Sequence, residues 1–230
     1  MELLPIRTFA DFCADLLTAG FAMGGGNDEG VFSLAPWMGE HLRYHTGDPE
    51  TDPWVWRIRA VTERTEFAYG QFFLGKSGWI TREWLPRFIA VRRRGRSMEE
   101  LYADGLVPRL AKTLYQRIRE APHCHMVQLR AALEVSREDR SAFDSALGFL
   151  QKYLFVVVSG EARKTSLSGA PYGWPVTTYC TTPCFFGEEP EKEAQTLDPA
   201  QAREDILERV RELNPGVQDK AVARWLGKPL

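Results

Sequence analysis

The spacing of apolar residues changes between residues 110 and 179. Apolar side chains first recur every three or four residues, as on one face of a helix, and then stand in short runs typical of strands. The helical stretches are 110–118, 127–133 and 143–150, and the strand-like runs are 155–158 and 176–179. Three helices followed by a two-stranded hairpin are the order of a winged helix-turn-helix, a module that most often docks on duplex DNA through its third helix.

The first hundred residues show clear helix starts and no comparable strand signal. N-capping residues, capping boxes and a proline at a first helical position predict helices that begin at Thr8, Asp52, Thr81 and Ser97. Gly20 ends the first of these helices. We therefore expect an all-helical N-terminal half, and we leave open that it is a second, degenerate winged-helix-like unit.

Together the patterns predict a mainly α protein with small β-hairpin wings, organised in three parts. Residues 1–100 form the N-terminal, mostly helical half, and residues 101–187 form the winged helix-turn-helix. Residues 188–230 begin with an acidic linker and continue as C-terminal helices that start at Asp198 and Asn214 and pack back on the body.

Composition limits the class of protein. The chain has 230 residues, 44% of them hydrophobic, with seven tryptophans and thirteen phenylalanines, so it can bury a large core. A net charge of −2 argues against coating of nucleic acid through overall positive charge, so contact with DNA requires local basic patches. No apolar run approaches the ~20 residues that span a bilayer. Asp11 and Asp15 interrupt the layout of a secretory signal, and we expect no membrane partner.

The cysteines and histidines do not predict a metal site or another cofactor. Four cysteines are scattered along the chain without the pattern of a disulfide framework, which favours a cytoplasmic location, at the nucleoid if the protein binds DNA. The pair His41 and His45, the cluster His123–His125 and the pair Cys180 and Cys184 all lack the spacing of structural zinc sites. We therefore expect neither a metal ion nor an organic cofactor.

Five basic residues lie on or beside the predicted third helix and wing: Arg137, Arg140, Lys152, Arg163 and Lys164. Placed on one surface, they would neutralise several phosphates, which is the usual source of affinity in such modules. The alternative is a winged helix that makes only protein contacts, with these charges solvated. Few nearby residues suit the reading of base edges, so we expect double-stranded DNA as the partner, recognised by its shape.

A second basic cluster ends the helix that starts at Thr81: Arg92, Arg93, Arg94 and Arg96. Cations at a helix C-terminus complement the helix dipole, which explains part of the cluster. Three consecutive arginines point in different directions, however, and one helix end does not need so many. Phosphate binding and a solvated surface are the two interpretations that remain open.

A third group has the chemistry of a base-binding pocket. If Trp54 faces the core, Trp56 and Arg57 lie off the buried stripe of their helix. There an indole can stack on a base while a guanidinium hydrogen-bonds its edge. Tyr69 and Gln71, in the aromatic run that follows, complete the predicted pocket.

Two carboxylates precede this pocket. Asp48 and Asp52 are the candidate catalytic residues, because a carboxylate beside a bound base can activate water or stabilise a cationic sugar. The alternative is structural, since both acids stand beside turn-forming glycine and proline, where aspartate commonly shapes a turn or caps a helix.

Several segments resemble one known family, and they are 44–57, 67–73, 78–84, 92–96 and 171–175. They resemble the AlkZ-like winged-helix DNA glycosylase superfamily, specifically its short AlkZ-related branch. In the longer enzymes of that superfamily, tandem winged-helix domains form a concave DNA-binding channel and excise alkylated or crosslinked bases without a metal. The resemblance implies a DNA-facing groove and hydrolysis of an N-glycosidic bond.

One departure from that family concerns catalysis. The active enzymes carry a Gln–aliphatic–Gln or Gln–aliphatic–Asp triplet that positions the hydrolytic water, and no glutamine here begins one. Residues 31–34 stand where the triplet is expected, and Phe32 and Leu34 cannot hold water by hydrogen bonding. Either the acids of residues 48–52 replace it in a metal-independent DNA N-glycosylase, or the chemistry is lost. The alternatives are a non-enzymatic DNA-binding regulator and a protein- or small-molecule-binding module on the same fold.

Overall fold

The computed structural model describes residues 5–26, 31–166 and 170–230. About half of this described chain is helical, and two small antiparallel sheets complete it. The helices are α1 (Phe9–Ala19), α2 (Pro53–Thr62), α3 (Leu85–Arg93), α4 (Met98–Ala103), α5 (Arg109–Glu120), α6 (Met126–Ala132), α7 (Arg140–Lys152), α8 (Thr182–Phe186), α9 (Glu189–Thr196), α10 (Pro199–Leu213) and α11 (Asp219–Leu226). The strands are β1 (Phe21–Met23), β2 (Phe67–Phe73), β3 (Lys76–Thr81), β4 (Cys124–His125), β5 (Val156–Thr165) and β6 (Pro171–Thr181).

The two sheets have the same topology. The first has the strand order β1-β3-β2 and the second the order β4-β6-β5, so the last strand of each hairpin lies in the middle. Phe67 pairs with Thr81 at the open end of the first hairpin, and Val156 pairs with Thr181 at the same place in the second. In each half, a helix precedes the short edge strand and another helix precedes the hairpin.

The expectation of an all-helical N-terminal half was therefore wrong. The hairpin β2–β3 escaped prediction because β2 is buried at every residue except Gln71, so it lacks the polar–apolar alternation of a half-buried strand. Its turn also lacks the usual signal. Leu74 and Gly75 both adopt positive φ angles, 54° and 74°, a conformation for which Asn-Gly is the familiar sequence.

Several predicted boundaries shift. The spacing of Ser136 and Asp139 predicts a capping box that starts the third helix of the winged helix-turn-helix. Their side chains do exchange hydrogen bonds, but these close a turn that precedes α7, which begins at Arg140. The helix expected from Thr81 begins at Leu85, because Thr81 still belongs to β3. The strands of the second hairpin are longer than predicted. The loop between them includes residues 167–169, which lie outside the described residues.

The C-terminal part also differs from the expectation. The segment 188–193, predicted as an acidic linker, belongs mostly to α9, and the last helix begins at Asp219 instead of Asn214. Helix α10 packs along α3. Trp225 of α11 is buried and stacks on Phe73 of β2, with ring centroids 4.6 Å apart.

Candidate functional site

A cleft of about 550 Å³ opens between α2 and the β5–β6 hairpin, and we call it the α2–hairpin cleft. Helix α2 contributes Trp54, Arg57 and Ile58 to its lining. The hairpin contributes Glu161 and Trp174. The cleft therefore joins side chains from two regions that are far apart in the sequence.

Asp52 sets the start of α2. Its carboxylate accepts hydrogen bonds from the backbone N–H of Trp54, at 2.8 Å, and from the backbone N–H of Gly47, at 2.9 Å. Pro53 occupies the first helical position, where it needs no hydrogen-bond donor. This cap places Trp54 in the first turn of α2, at the mouth of the cleft.

Trp54 and Trp56 have the opposite environments to those predicted. Trp56 is fully buried, packs near Phe9 and Phe12, and donates a hydrogen bond from Nε1 to the carbonyl oxygen of Pro49 at 2.8 Å. Trp54 is 47% exposed. Two helix positions that are two residues apart face about 200° apart, so burial of one exposes the other. The sequence pattern predicted Trp54 as the buried residue and Trp56 as the exposed one, which is the reverse of what the structure shows. Trp56 therefore does not belong to the site.

Arg57 connects the two walls of the cleft. Its guanidinium carbon lies 4.1 Å from the centroid of the Trp54 ring, and Nη2 donates a hydrogen bond to Oε1 of Glu161. The side chains of both partners are largely buried, at 14% exposure for Arg57 and 23% for Glu161. The sequence analysis missed Glu161, because no motif connects it to a residue 104 positions earlier.

The Asp52 carboxylate has a structural role at the start of α2. Its two oxygens bind backbone N–H groups, and the side chain is fully buried. Burial alone would raise the pKa of Asp52, but the backbone hydrogen bonds from Gly47, Trp54 and neighbouring residues lower it overall. Because each oxygen already accepts a backbone N–H and the side chain is fully buried, the structural interpretation accounts for Asp52.

Asp48 is exposed and lies outside the lining of the α2–hairpin cleft. It accepts hydrogen bonds from the Thr51 hydroxyl, at 2.6 Å, and from the backbone N–H of Glu50, at 3.0 Å. The Thr51 hydroxyl, followed by the Glu50 backbone, lowers the pKa of Asp48. The carboxylate therefore shapes the turn before α2. Of the two acids that line the cleft, Asp52 is fully buried, whereas the Glu161 side chain is 23% exposed.

A second cavity, of about 310 Å³, lies on another side of Trp54 and Arg57, and we call it the inner pocket. Tyr69 and Trp79, both largely buried, contribute to its walls. Gln71 is elsewhere. Its side chain is exposed outside both cavities, and its backbone N–H donates to Oε1 of Gln151 on α7 at 3.0 Å.

A family model for AlkZ-related proteins matches residues 6–227. The chain belongs to the AlkZ-related family. This match confirms the resemblance that five short segments indicated. Comparisons with curated proteins and with solved structures return no match.

Half of the arginine cluster of this AlkZ-related chain is internal, so for Arg92 and Arg93 neither a phosphate-binding surface nor a solvated surface applies. Arg92 is fully buried between the rings of Phe73 and Phe88, and its Nη1 donates to the carbonyl oxygen of Lys152 at 2.7 Å. Burial lowers the pKa of Arg92 to about 9. No carboxylate among the described residues pairs with it, so its charge is stabilised by aromatic faces and carbonyl oxygens.

Arg93 is buried as well. It binds Oε1 of Glu191 at 2.5 Å, and its guanidinium carbon lies 4.3 Å from the centroid of Phe155. Arg96 pairs with Asp104. Arg94, in a left-handed conformation with φ 53°, is exposed. Of the four arginines, Arg92 and Arg93 hold α3 to the surrounding elements and are unavailable to phosphate.

The basic residues of the second half divide into two groups. Arg137 and Arg140, at the start of α7, and Arg163 on β5 are exposed, and Lys164 on β5 is half-buried. Lys152 ends α7, roughly 18 Å from Arg140 for a helix of this length. Lys152 and Arg140 therefore stand at opposite ends of α7, and a surface shared by all five cations stays a prediction.

The candidate metal ligands have structural contacts in this AlkZ-related protein. Among the described residues, no three histidine, cysteine, aspartate or glutamate side chains meet in a group that could hold a metal ion. His41 bonds the carbonyl oxygen of Arg7, His45 lies against the Trp54 ring, and His125 caps α6. In the described part of the chain, no helix is long and apolar enough to cross a membrane.

Proposed function

We propose that the chain binds double-stranded DNA across the α2–hairpin cleft, with residues 109–181 folded as a winged helix-turn-helix. The element order α5, β4, α6, α7, β5, β6 and the strand order β4-β6-β5 support this fold, because they match the helix, edge strand, two helices and hairpin of that module. Membership in the AlkZ-related family supports DNA as the partner.

The N-terminal half repeats that plan in reduced form. Helix α1, strand β1, helix α2 and the hairpin β2–β3 follow in the same order, with the same strand order in the sheet. In this proposal α2 holds the place of α7, the helix before the hairpin that reads DNA in winged-helix proteins. The cleft then brings the reading helix of the first unit against the wing of the second.

The observation that carries the proposal is the exposure of two tryptophans in one cleft. Trp174 on β6 is 89% exposed and Trp54 on α2 is 47% exposed, and both line the cleft beside Arg57. An exposed indole gives up the free energy of burial, which is of the order of 2 kcal/mol for a large apolar side chain. Aromatic faces at nucleic-acid sites recover such free energy by stacking on bases.

The basic residues at the start of α7 favour the same partner. Arg137 and Arg140 are exposed and form no ion pair with a described residue. A cation at a helix N-terminus opposes the helix dipole, so stability does not explain their position. Phosphate contacts would explain it, and Arg163 and Lys164 on β5 are further candidates for such contacts.

The test is the affinity of the purified chain for a fluorescent DNA duplex, measured by anisotropy at a fixed salt concentration. The combined variant Trp54→Ala and Trp174→Ala should bind about tenfold or more weakly, since stacking on one base is worth about 1–3 kcal/mol. Trp37→Ala is the matched control, because Trp37 is 38% exposed and lies outside the cleft. An equal loss of duplex affinity in the double variant and in Trp37→Ala would contradict the proposal. Absence of duplex binding by the unaltered chain would contradict it as well.

A second candidate function is hydrolysis of an N-glycosidic bond in bound DNA, and the position of Glu161 favours it. Glu161 is a carboxylate at the edge of the cleft, where a stacked nucleotide would bring its sugar, and Arg57 orients it. Such an acid can activate the water that attacks the sugar while the base leaves. Duplexes that carry an alkylated base are incubated with the chain and then treated with alkali, which breaks the strand wherever the base has been removed. Breaks lost in Glu161→Gln, with duplex binding retained, would support catalysis.

Asp48→Asn is the control for that experiment, because Asp48 is an exposed acid outside the cleft. Its activity should match that of the unaltered chain. Binding without breaks by the unaltered chain would leave a non-enzymatic reader or regulator of DNA as its function.

A further inference from the structure

The walls of the inner pocket are aromatic. The Trp79 ring lies 5.1 Å from the Tyr69 ring and 5.3 Å from the Phe12 ring, measured between centroids. Met23 and Met38 add thioether groups to the lining. Walls of this kind favour a flat, polarisable ligand, because rings and thioethers pack well on ring faces and edges. The volume of about 310 Å³ lies at the small end of the range for ligand pockets.

The polar side chains of the inner pocket mainly donate hydrogen bonds. Arg57, Tyr44 and Ser77 contribute to the lining, and no aspartate or glutamate is among the described residues that line it. The N–H of the Trp79 indole is buried and has no acceptor among the described residues. Burial raises the pKa of Tyr44, which keeps its hydroxyl protonated and able to donate. A ligand with carbonyl or phosphate oxygens would complement this lining.

A glycine run forms the mouth of the inner pocket. Gly25 and Gly26 are exposed and line the cavity, and a Cβ added to either would meet no atom within 4 Å. Neither backbone N–H makes a hydrogen bond with a described residue. Successive unpaired N–H groups without side chains are a common way to hold a phosphate.

We propose that the inner pocket binds one nucleotide, with the base against Tyr69 and Trp79 and the phosphate at Gly25 and Gly26. The nucleotide is either free in solution or part of a DNA strand from which it has swung out of the stack. The second source rests on the DNA binding proposed above, whereas the first does not. Trp54 and Arg57 then lie between the two binding sites, because both residues line the α2–hairpin cleft and also the inner pocket.

Gly25→Leu tests this assignment, because a Cβ at this position meets no atom within 4 Å and the rest of the leucine side chain would then occupy the mouth of the pocket. Gly216→Leu is the matched control, since a Cβ there also meets nothing within 4 Å and Gly216 lies outside the pocket. Thermal unfolding establishes that both variants fold.

The first readout is calorimetric titration of the protein with thymidine and guanosine monophosphates, without DNA. The second is the increase in permanganate oxidation of a thymine at a T·T mismatch when the chain binds, measured against the same duplex without protein, because the increase reports a base that the protein has moved out of the stack. Nucleotide binding that weakens about tenfold or more in Gly25→Leu, and not in Gly216→Leu, identifies the free source. Thymine reactivity lost only in Gly25→Leu, with duplex affinity kept, identifies the strand source. The nucleotide proposal is overturned if the unaltered chain gives neither nucleotide binding nor thymine reactivity. It is also overturned if Gly25→Leu gives the same results as Gly216→Leu. Absence of duplex binding alone contradicts the DNA-binding proposal and leaves the test with free nucleotides in place.

Discussion

Arg57 on α2 and Glu161 on β5 form an ion pair that joins the N-terminal half of the chain to the second hairpin. Both side chains are largely buried, and the guanidinium also lies over the Trp54 ring. Removal of either partner leaves the other charge partly buried without its counter-ion, which is costly. The pair therefore connects the two walls of the α2–hairpin cleft.

This relationship predicts strong coupling between the two positions. A double-mutant cycle with Arg57→Ala and Glu161→Ala, measured by urea unfolding, should give a coupling free energy of about 1–3 kcal/mol. The pair Arg117 and Glu120, with nitrogen and oxygen 3.5 Å apart on an exposed helix face, is the control. Its coupling should stay below about 0.5 kcal/mol. Similar coupling in the two pairs would show that Arg57 and Glu161 do not constrain the cleft.

The arginine cluster should affect stability and not DNA binding. Arg93→Ala removes the partner of Glu191 and the cation over Phe155, and Arg92→Ala removes a buried cation from between two rings. Arg93→Ala should lower the free energy of unfolding by about 3–5 kcal/mol, because it leaves Glu191 without its counter-ion. Arg92→Ala should lower it by about 2–5 kcal/mol, because it leaves a cavity and carbonyl oxygens without donors. Arg94→Ala, at an exposed position, should change it by less than about 0.5 kcal/mol. Weaker duplex binding by folded Arg92→Ala with unchanged stability would be the contrary result.

Asp52 predicts a specific dependence of stability on pH. Because the folded protein lowers the pKa of Asp52, its carboxylate stabilises the fold above the unfolded-state pKa of about 3.9, and this contribution is lost as the pH falls through the lower folded value. Asp52→Ala should cost about 1–3 kcal/mol at neutral pH, from the lost cap and the unpaired N–H of Gly47.

Urea unfolding of Asp52→Ala and the unaltered chain at pH 7 and at about pH 3 checks this dependence, and the difference between the two proteins should shrink at the lower pH. Asp48→Ala, at an exposed turn, serves as the comparison and should lose less stability at pH 7. A constant difference across the pH range would mean that the charge of Asp52 is not what supports the start of α2.

The start of α7 predicts a change in salt dependence. If Arg137 and Arg140 each contact one phosphate, the combined alanine variant should reduce the slope of log affinity against log salt by roughly 1.8, since each contact contributes about 0.9. Lys152→Ala should leave the slope unchanged, because Lys152 stands at the other end of α7. An unchanged slope in the double variant would remove the start of α7 from the DNA-contacting surface.

Local signals in the sequence predicted local structure well. Thr8 caps α1 and the capping box of Ser97 with Glu100 forms, as expected, and Asp52 caps α2 with Pro53 at the first helical position. These features depend on residues within a few positions of one another, so spacing alone determines them. Trp54, Arg57 and Tyr69 do line the two cavities, although Trp56 and Gln71 do not.

The rest depends on tertiary contacts that spacing does not encode. Arg92 and Arg93 read as surface charges, yet α3 is covered on nearly all sides and accommodates them with aromatic faces, carbonyl oxygens and Glu191. Glu161 enters the site only because the second hairpin folds against α2. The first sheet was not predicted for a similar reason, because β2 is buried on both faces and therefore lacks the alternation that indicates a strand.

The location of bound DNA is the most direct test of the account. A duplex that carries 5-iodouracil is irradiated with the chain, and the crosslinked peptides are identified by mass spectrometry. The account predicts crosslinks at Trp174, Tyr172 or Trp54, the exposed aromatic residues of the second hairpin and of α2. Crosslinks confined to Trp37, or to the C-terminal helices, would contradict it.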